Sequence, residues 1–82
     1  MIKEDVNITD TRMLALIEFL KAEGTIRYRQ EFLDVIEMHK QNFRKIEEGS
    51  IHFTVTHIQK ACKKYKVNAN WVLGLEGKML RG

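Results

Sequence analysis

One short stretch near the middle of this chain is rich in polar side chains. Its side chains form hydrogen bonds in defined directions: Lys40, Gln41, Asn42 and Arg44. An amide matches the donor and acceptor of an adenine edge, whereas Lys or Arg binds guanine O6 and N7 or a phosphate oxygen. Lys45 adds a further positive charge. The stretch therefore has the chemistry to contact nucleic-acid bases, and the alternative is an ordinary solvated helix face.

Metal and catalytic chemistry are not indicated. Four candidate ligands show no C-x-x-C, no H-x-x-x-H and no second pair: His39, His52, His57 and Cys62. We expect solvated histidines and a packed cysteine. The chain also has no Gly-rich phosphate loop, G-x-S-x-G or H-E-x-x-H motif, and its 82 residues leave little material for a substrate cleft. The sequence predicts neither an enzyme nor a cofactor or metal site.

Length and charge favour a small binding domain. The 82 residues are predicted to form a single domain (1–82), with an ordered core at about 8–75 and a short tail at 76–82. Fourteen Lys and Arg residues exceed eleven Asp and Glu residues, and the net charge of +3 mildly favours an anionic partner. The chain has one cysteine and no apolar run long enough for a signal peptide or a membrane span. These features predict a cytoplasmic protein without membrane association.

Hydrophobic residues recur at helical spacing along most of the chain, and no proline interrupts them. Glycines or capping residues bound the periodic segments. Thr9 is the expected N-cap of the first helix, and Gly24 is expected to follow its end. The chain is predicted to be all-α, with five helices. Three lie at about 10–23, 28–36 and 40–48, the fourth begins at Thr54, and the fifth is a short stretch after Asn68.

Two details of these helices are specific enough to test. An apolar residue precedes three of the expected caps and is matched by another at the fourth helical position: Ile8 with Met13, Phe53 with Ile58, and Val67 with Val72. Trp71 is expected in the core. On the fourth helix we expect Val55, Ile58, Ala61, Cys62 and Tyr65 to face inward, and Lys60, Lys63 and Lys64 to face outward.

The second and third helices together have the properties of a helix-turn-helix. Both are short, and a turn of about three residues joins them. The third helix has only two inward apolar residues, Phe43 and Ile46. A recognition helix needs few such residues, because most of its circumference lies in the major groove and must present donors and acceptors.

At this point the chain resembles the lambda-repressor-like, or XRE-type, helix-turn-helix family. Glu47 and Gly49 match the family's E-x-G ending, and Phe32 and Ile36 take the positions of its two leucines in helix two. The segment 65–79, YKVNANWVLGLEGKM, is similar to the ending of phage repressor N-terminal domains of the CI type. The resemblance implies a compact five-helix, lambda-repressor-like DNA-binding domain. It would act as a prokaryotic or phage-type transcriptional regulator, such as a repressor, and be nucleoid-associated when bound to DNA.

The resemblance also implies roles for individual side chains on double-stranded DNA. Base reading is expected of Lys40, Gln41, Asn42 and Arg44. Phosphate contacts are expected at the start of helix two and after helix three, from Arg29, Gln30, Lys45, Ser50 and His52. Because one such domain reads about one half-site, a homodimer or a second domain is expected.

Three positions depart from the family pattern. Leu33 replaces a small alanine, Glu37 replaces the glycine of the turn, and Glu48 places a carboxylate where the backbone of DNA is usually contacted. If the turn keeps the family's conformation, Glu37 has a positive φ. An alternative is left open by Glu37 and Glu48, together with Arg29 in place of a glutamine. It is a protein-interaction module, antitoxin-like or accessory, with weak or no DNA binding.

Overall fold

The computed structural model describes residues 7–81 and has five α-helices there. The predicted all-α class is confirmed. The only β-type pairing within this range is an isolated antiparallel bridge between Val67 and Leu80. No helix in the same range is long and apolar enough to cross a membrane. The helices are α1 (Ile8–Ala22), α2 (Arg29–Ile36), α3 (Lys40–Glu47), α4 (Val55–Tyr65) and α5 (Ala69–Val72).

The first helix begins two residues earlier than predicted. Asn7, not Thr9, is its N-cap, because the Asn7 side chain accepts a hydrogen bond from the Asp10 backbone N–H at 3.0 Å. Ile8 therefore lies inside the helix and is 45% exposed, so its predicted capping contact with Met13 is wrong. The predicted end is confirmed, since Gly24 has a φ of +78° directly after the helix.

One hydrophobic core joins the helices. α1 buries four residues in it, Met13, Leu16, Ile17 and Leu20, and α5 contributes Trp71 and Val72, as expected of the tryptophan. α2 packs closely against α4, where the rings of Phe32 and Tyr65 stack with centroids 5.6 Å apart. The helix-two residues that the family pattern placed inward, Phe32 and Ile36, are fully buried.

The fourth helix has its predicted cap, but two of its side chains are not where we predicted them. Val55 is 80% exposed rather than buried, because it borders an open groove that the four-residue α5 does not fill. Lys60 is half-buried rather than directed to solvent, because its amine reaches across to Glu37. Lys63 and Lys64 are exposed, as predicted.

The start of α4 is a capping box that depends on a neutral histidine. Thr54 Oγ1 accepts the His57 backbone N–H at 3.2 Å, and His57 Nδ1 accepts the Thr54 backbone N–H at 3.0 Å. An imidazole nitrogen accepts a hydrogen bond only when it carries no proton. Partial burial, and next the positive charge of Lys60, lower the pKa of His57 from its ordinary value of 6.5.

We therefore expect part of the stability to be lost on acidification. Since the folded pKa of His57 lies below its unfolded value, the unfolded chain binds more protons as the pH falls below 6.5. The contribution of His57 is full above that pH and is lost as the pH falls through the folded pKa. His57→Gln keeps an acceptor at the same position without a titrating group. As the pH is lowered from 7, the unfolding free energy of this variant should therefore change less than that of the parent protein. Equal pH dependence for both proteins, measured by urea unfolding, would contradict this role.

The C-terminal segment packs beyond the predicted end of the core at residue 75. The side-chain amide of Asn68 donates to the Glu76 carboxylate at 2.8 Å and to the Lys78 carbonyl at 3.0 Å. The backbone N–H of Asn68 donates to Met79 O, and Met79 and Leu80 pack against the core. Residues 76–81 are therefore attached to the junction between α4 and α5.

Candidate nucleic-acid interface

A tight left-handed turn separates α2 from α3. Glu37 has φ 57° and ψ 49°, so the positive φ that the glycine position implied is confirmed. The Met38 N–H donates to Leu33 O at 2.9 Å, and the Glu37 N–H donates to Asp34 O at 3.2 Å, which is a Schellman motif. Leu33 and Met38 are both buried, as that motif requires of its two apolar residues. The larger Leu33 is thus accommodated in the core beneath the turn.

An ion pair ties this turn to α4. The Lys60 ammonium lies 2.6 Å from Glu37 Oε2. This hydrogen bond, and next the positive charge of Lys60, lower the pKa of the Glu37 carboxyl below its ordinary value. Sequence analysis missed the pair because its members are 23 residues apart and on different elements.

Replacing Glu37 tests the backbone conformation of the turn. Glu37→Ala and Glu37→Gly both remove the ion pair with Lys60, but only glycine relieves the left-handed strain. The glycine variant should be more stable than the alanine variant by about 0.5–1 kcal/mol, after allowance for its greater unfolded-state entropy. At high salt, where the ion pair is screened, Glu37→Gly should also be more stable than the parent protein. Thermal unfolding measures both differences, and an alanine variant at least as stable as the glycine variant would contradict the observed φ.

The third helix is held to the domain by two side chains. Phe43 and Ile46 are 5% and 3% exposed, and the Phe43 ring lies 6.5 Å from that of Phe53 in the following loop. At the end of the helix Gly49 has a φ of +83°, and the Ser50 N–H donates to Lys45 O at 2.8 Å. The rest of the helix surface is left to solvent.

The predicted base-reading residues all lie on this exposed surface: Lys40, Gln41, Asn42 and Arg44. Within residues 7–81 none of these four side chains takes part in a hydrogen bond or ion pair with another side chain. Lys40 and Arg44 also border a cavity of about 280 Å³ between α2 and α3, together with Arg29 and Gln30. Two predicted base readers and two predicted phosphate ligands thus meet at one depression.

Three of the predicted phosphate ligands are engaged within the protein, and two of them, Arg29 and Gln30, lie at the start of α2. Arg29 lies between two carboxylates, with Nε 3.5 Å from Glu18 Oε2 and Nη1 3.7 Å from Glu47 Oε2. The Gln30 amide donates to Asp34 Oδ1 at 2.8 Å. All of the Arg29 pairs are about half-exposed, and exposed pairs of this kind contribute little stability. Arg29 can therefore exchange a carboxylate for a phosphate at small cost.

The remaining predicted phosphate ligands lie at or after the end of α3. Lys45 and Ser50 are exposed. His52 is 58% exposed, but its Nδ1 lies 2.6 Å from Asp10 Oδ2 on α1. Asp10 is buried, and its other oxygen accepts the Phe53 backbone N–H at 3.0 Å. The buried carboxylate thus fixes the loop that carries His52.

Asp10 is a residue that sequence analysis did not assign to the site. Its position in the first turn of α1 predicted only a favourable interaction with the helix dipole. Its contact with His52 spans 42 residues, and no sequence signal identified that pairing. The geometry of the candidate site therefore rests on α1 as well as on α2, α3 and the turn between them.

In comparisons with known proteins, no family model, curated protein or solved structure matched this chain.

Proposed function

We propose that this protein binds double-stranded DNA sequence-specifically, with α3 in the major groove, as a transcriptional regulator of prokaryotic or phage type. The observation that carries the proposal is the surface of α3. It presents cationic and amide side chains to solvent while only Phe43 and Ile46 hold it to the core.

Dimensions and chemistry support the same placement. An α-helix with its side chains is about 10–12 Å in diameter, and the major groove is about 12 Å wide, so α3 can enter it. Gln41 and Asn42 would read adenine edges, and Lys40 and Arg44 would read guanine or bind phosphate. Arg44 and Lys45 also lie in the last turn of the helix, where positive charge is favourable.

Phosphate contacts would fix the domain on the duplex. Arg29 and Gln30 begin α2, and Lys45, Ser50 and His52 lie at or after the end of α3, so the two groups flank the helix that would read the bases. Such contacts set register and orientation. In this proposal Arg29 exchanges its pairing with Glu47 for a phosphate oxygen. A homodimer on two half-sites would supply the specificity that one α3 lacks, and the protein would be nucleoid-associated in the cytoplasm.

A selection experiment tests this function directly. The protein is mixed with a pool of random duplexes, and bound molecules are recovered and sequenced over several rounds. We expect a short enriched motif, and binding to it that weakens steeply as salt concentration rises. Lys63→Ala serves as a control. It removes an exposed charge from α4, outside the proposed interface, and should recover the same motif as the parent protein. No enrichment, or binding insensitive to salt, would refute the proposal.

A second candidate function is a protein-interaction module, antitoxin-like or accessory, with weak or no DNA binding. Arg29 and Gln30 favour it, because both are already paired with carboxylates of the protein. Glu37 and Glu48 add exposed negative charge at the ends of α2 and α3. The salt titration above separates the two functions, since neutralisation of phosphates gives the steeper dependence.

Arg29 is expected to contact phosphate alone, whereas Lys40 has two roles open to it, guanine reading and phosphate contact. Arg29→Ala should weaken binding to all duplexes alike, and should reduce the slope of log affinity against log salt by about one unit; Lys40→Ala should do the same if Lys40 neutralises a phosphate. Filter binding at several salt concentrations measures the slope, with Lys63→Ala as the charge-matched control. A loss confined to one sequence would show that the residue reads bases instead.

A further inference from the structure

An open apolar groove lies between α4 and the residues that follow α5, in the part of the chain that comes after α3. Its volume is about 410 Å³. Its lining includes the apolar side chains of Val55, Ile58, Cys62 and Leu73 and the charged side chains of Lys63 and Arg81. None of these residues belongs to α2 or α3. The groove therefore plays no part in the DNA-binding proposal.

Two large apolar side chains that line this groove are exposed to solvent. Val55 is 80% exposed and Leu73 is 48% exposed, and Leu75, two residues further on, is 72% exposed. Isolated apolar residues on a surface are common, but a contiguous group beside a groove is typical of an interaction site. The groove is open to solvent, which suits a segment of a larger partner better than an enclosed small molecule.

The charge of the groove restricts what it can bind. Both charged side chains among the described lining residues, Lys63 and Arg81, are basic, and no Asp or Glu joins them. Arg81 lies near enough to Cys62 to act on the thiol: burial raises the pKa of Cys62, and the charge of Arg81 partly opposes that rise. A second copy docked through the same surface would bring like charges together, which is unfavourable. An acidic occupant would neutralise them.

We propose that this groove binds an acidic amphipathic segment of a partner protein, which places large apolar side chains against Val55 and Leu73 and carboxylates beside Lys63 and Arg81. Recognition of this kind uses a few apolar anchors for affinity and flanking charges for orientation. Because α3 lies outside the groove, the partner and a duplex can be bound at the same time.

Peptide selection on two matched proteins tests this assignment. A phage-displayed library of random linear peptides is selected in parallel on the parent protein and on the double variant Lys63→Glu/Arg81→Glu. Both substituted side chains are exposed, so the variant keeps the fold, and circular dichroism verifies this. We expect the parent to enrich peptides with apolar residues at helical spacing and net negative charge, and the variant to enrich basic ones.

Cys62 supplies an independent readout of where the peptide binds. It is the only cysteine of the chain and it lines the groove. A synthetic copy of an enriched peptide should slow alkylation of Cys62 by iodoacetamide. Leu73→Asp should weaken its binding by at least about tenfold, as expected for loss of a central apolar anchor. Duplex binding by Leu73→Asp should be unchanged, so failure here is distinguishable from failure of the DNA-binding proposal.

Four results would overturn the assignment. They are the absence of enrichment on the parent, enrichment of the same peptides on both proteins, enrichment of neutral or basic peptides on the parent, and alkylation of Cys62 that slows as the concentration of protein alone rises. The last result would show that a second copy occupies the groove.

Discussion

Replacing Phe43 with alanine is expected to lower the free energy of unfolding by about 3–5 kcal/mol, as is typical for a buried phenylalanine. The side chain is 5% exposed, and its ring packs beside Phe53 in the loop after α3. Ile46 is the other buried residue of α3, so few side chains are available to fill the cavity that the ring would leave. A domain of this size has a total stability of about 4–12 kcal/mol, and the variant should therefore be close to unfolded.

Two further variants show whether this loss of stability comes from the missing buried ring. Phe43→Leu keeps an apolar side chain in the core and should retain much more of the stability. Arg44→Ala, at the next position but on the exposed face, should change stability by less than about 0.5 kcal/mol. Urea unfolding followed by circular dichroism measures all three proteins. If Phe43→Ala cost less than the leucine variant, the ring would not be what holds α3 to the domain.

Local signals in the sequence were enough to predict most helix boundaries. Thr54 and Asn68 cap α4 and α5 as predicted, and Gly24 and Gly49 follow the ends of α1 and α3. Each of these signals acts within four residues of the chain, because a cap or a left-handed glycine satisfies only the nearest backbone groups. The start of α1 differs by two residues, whereas the other differences are of one residue; it was misplaced because two capping residues, Asn7 and Thr9, stand two positions apart and the hydrophobic pattern does not choose between them.

The contacts that shape the candidate site were not predictable in this way. The pairing of Asp10 with His52 and that of Glu37 with Lys60 join segments that only the folded chain brings together. The exposure of Val55 has the same origin, since a helical pattern shows which residues share a face but not how far a neighbouring helix extends over it. The pattern thus predicted that α3 is exposed, and the structure adds which of its surrounding charges are already paired.

If the protein binds DNA as proposed, that difference in pairing predicts which substitutions on α3 should alter sequence preference. Arg44 and Gln41 are exposed on the side of α3 away from Phe43 and Ile46, and neither is engaged by a side chain among residues 7–81. In the major groove, both would be free to meet base edges. Arg44→Ala or Gln41→Ala should therefore cost about 1–3 kcal/mol at the selected duplex and relax the preference at one position of the motif.

The measurement is an affinity for the selected duplex and for single-position variants of it, at one fixed salt concentration. Lys63→Ala is the control, because it changes the net charge as Arg44→Ala does but lies on α4. Loss of a phosphate contact weakens every duplex equally, whereas loss of a base contact weakens mainly the duplexes that carry the preferred base. If both variants remain folded and bind the selected duplex as tightly as the parent, α3 does not read the sequence. The exposed donors of α3 would then be a solvated surface, and the base-reading element would have to be sought elsewhere in the chain.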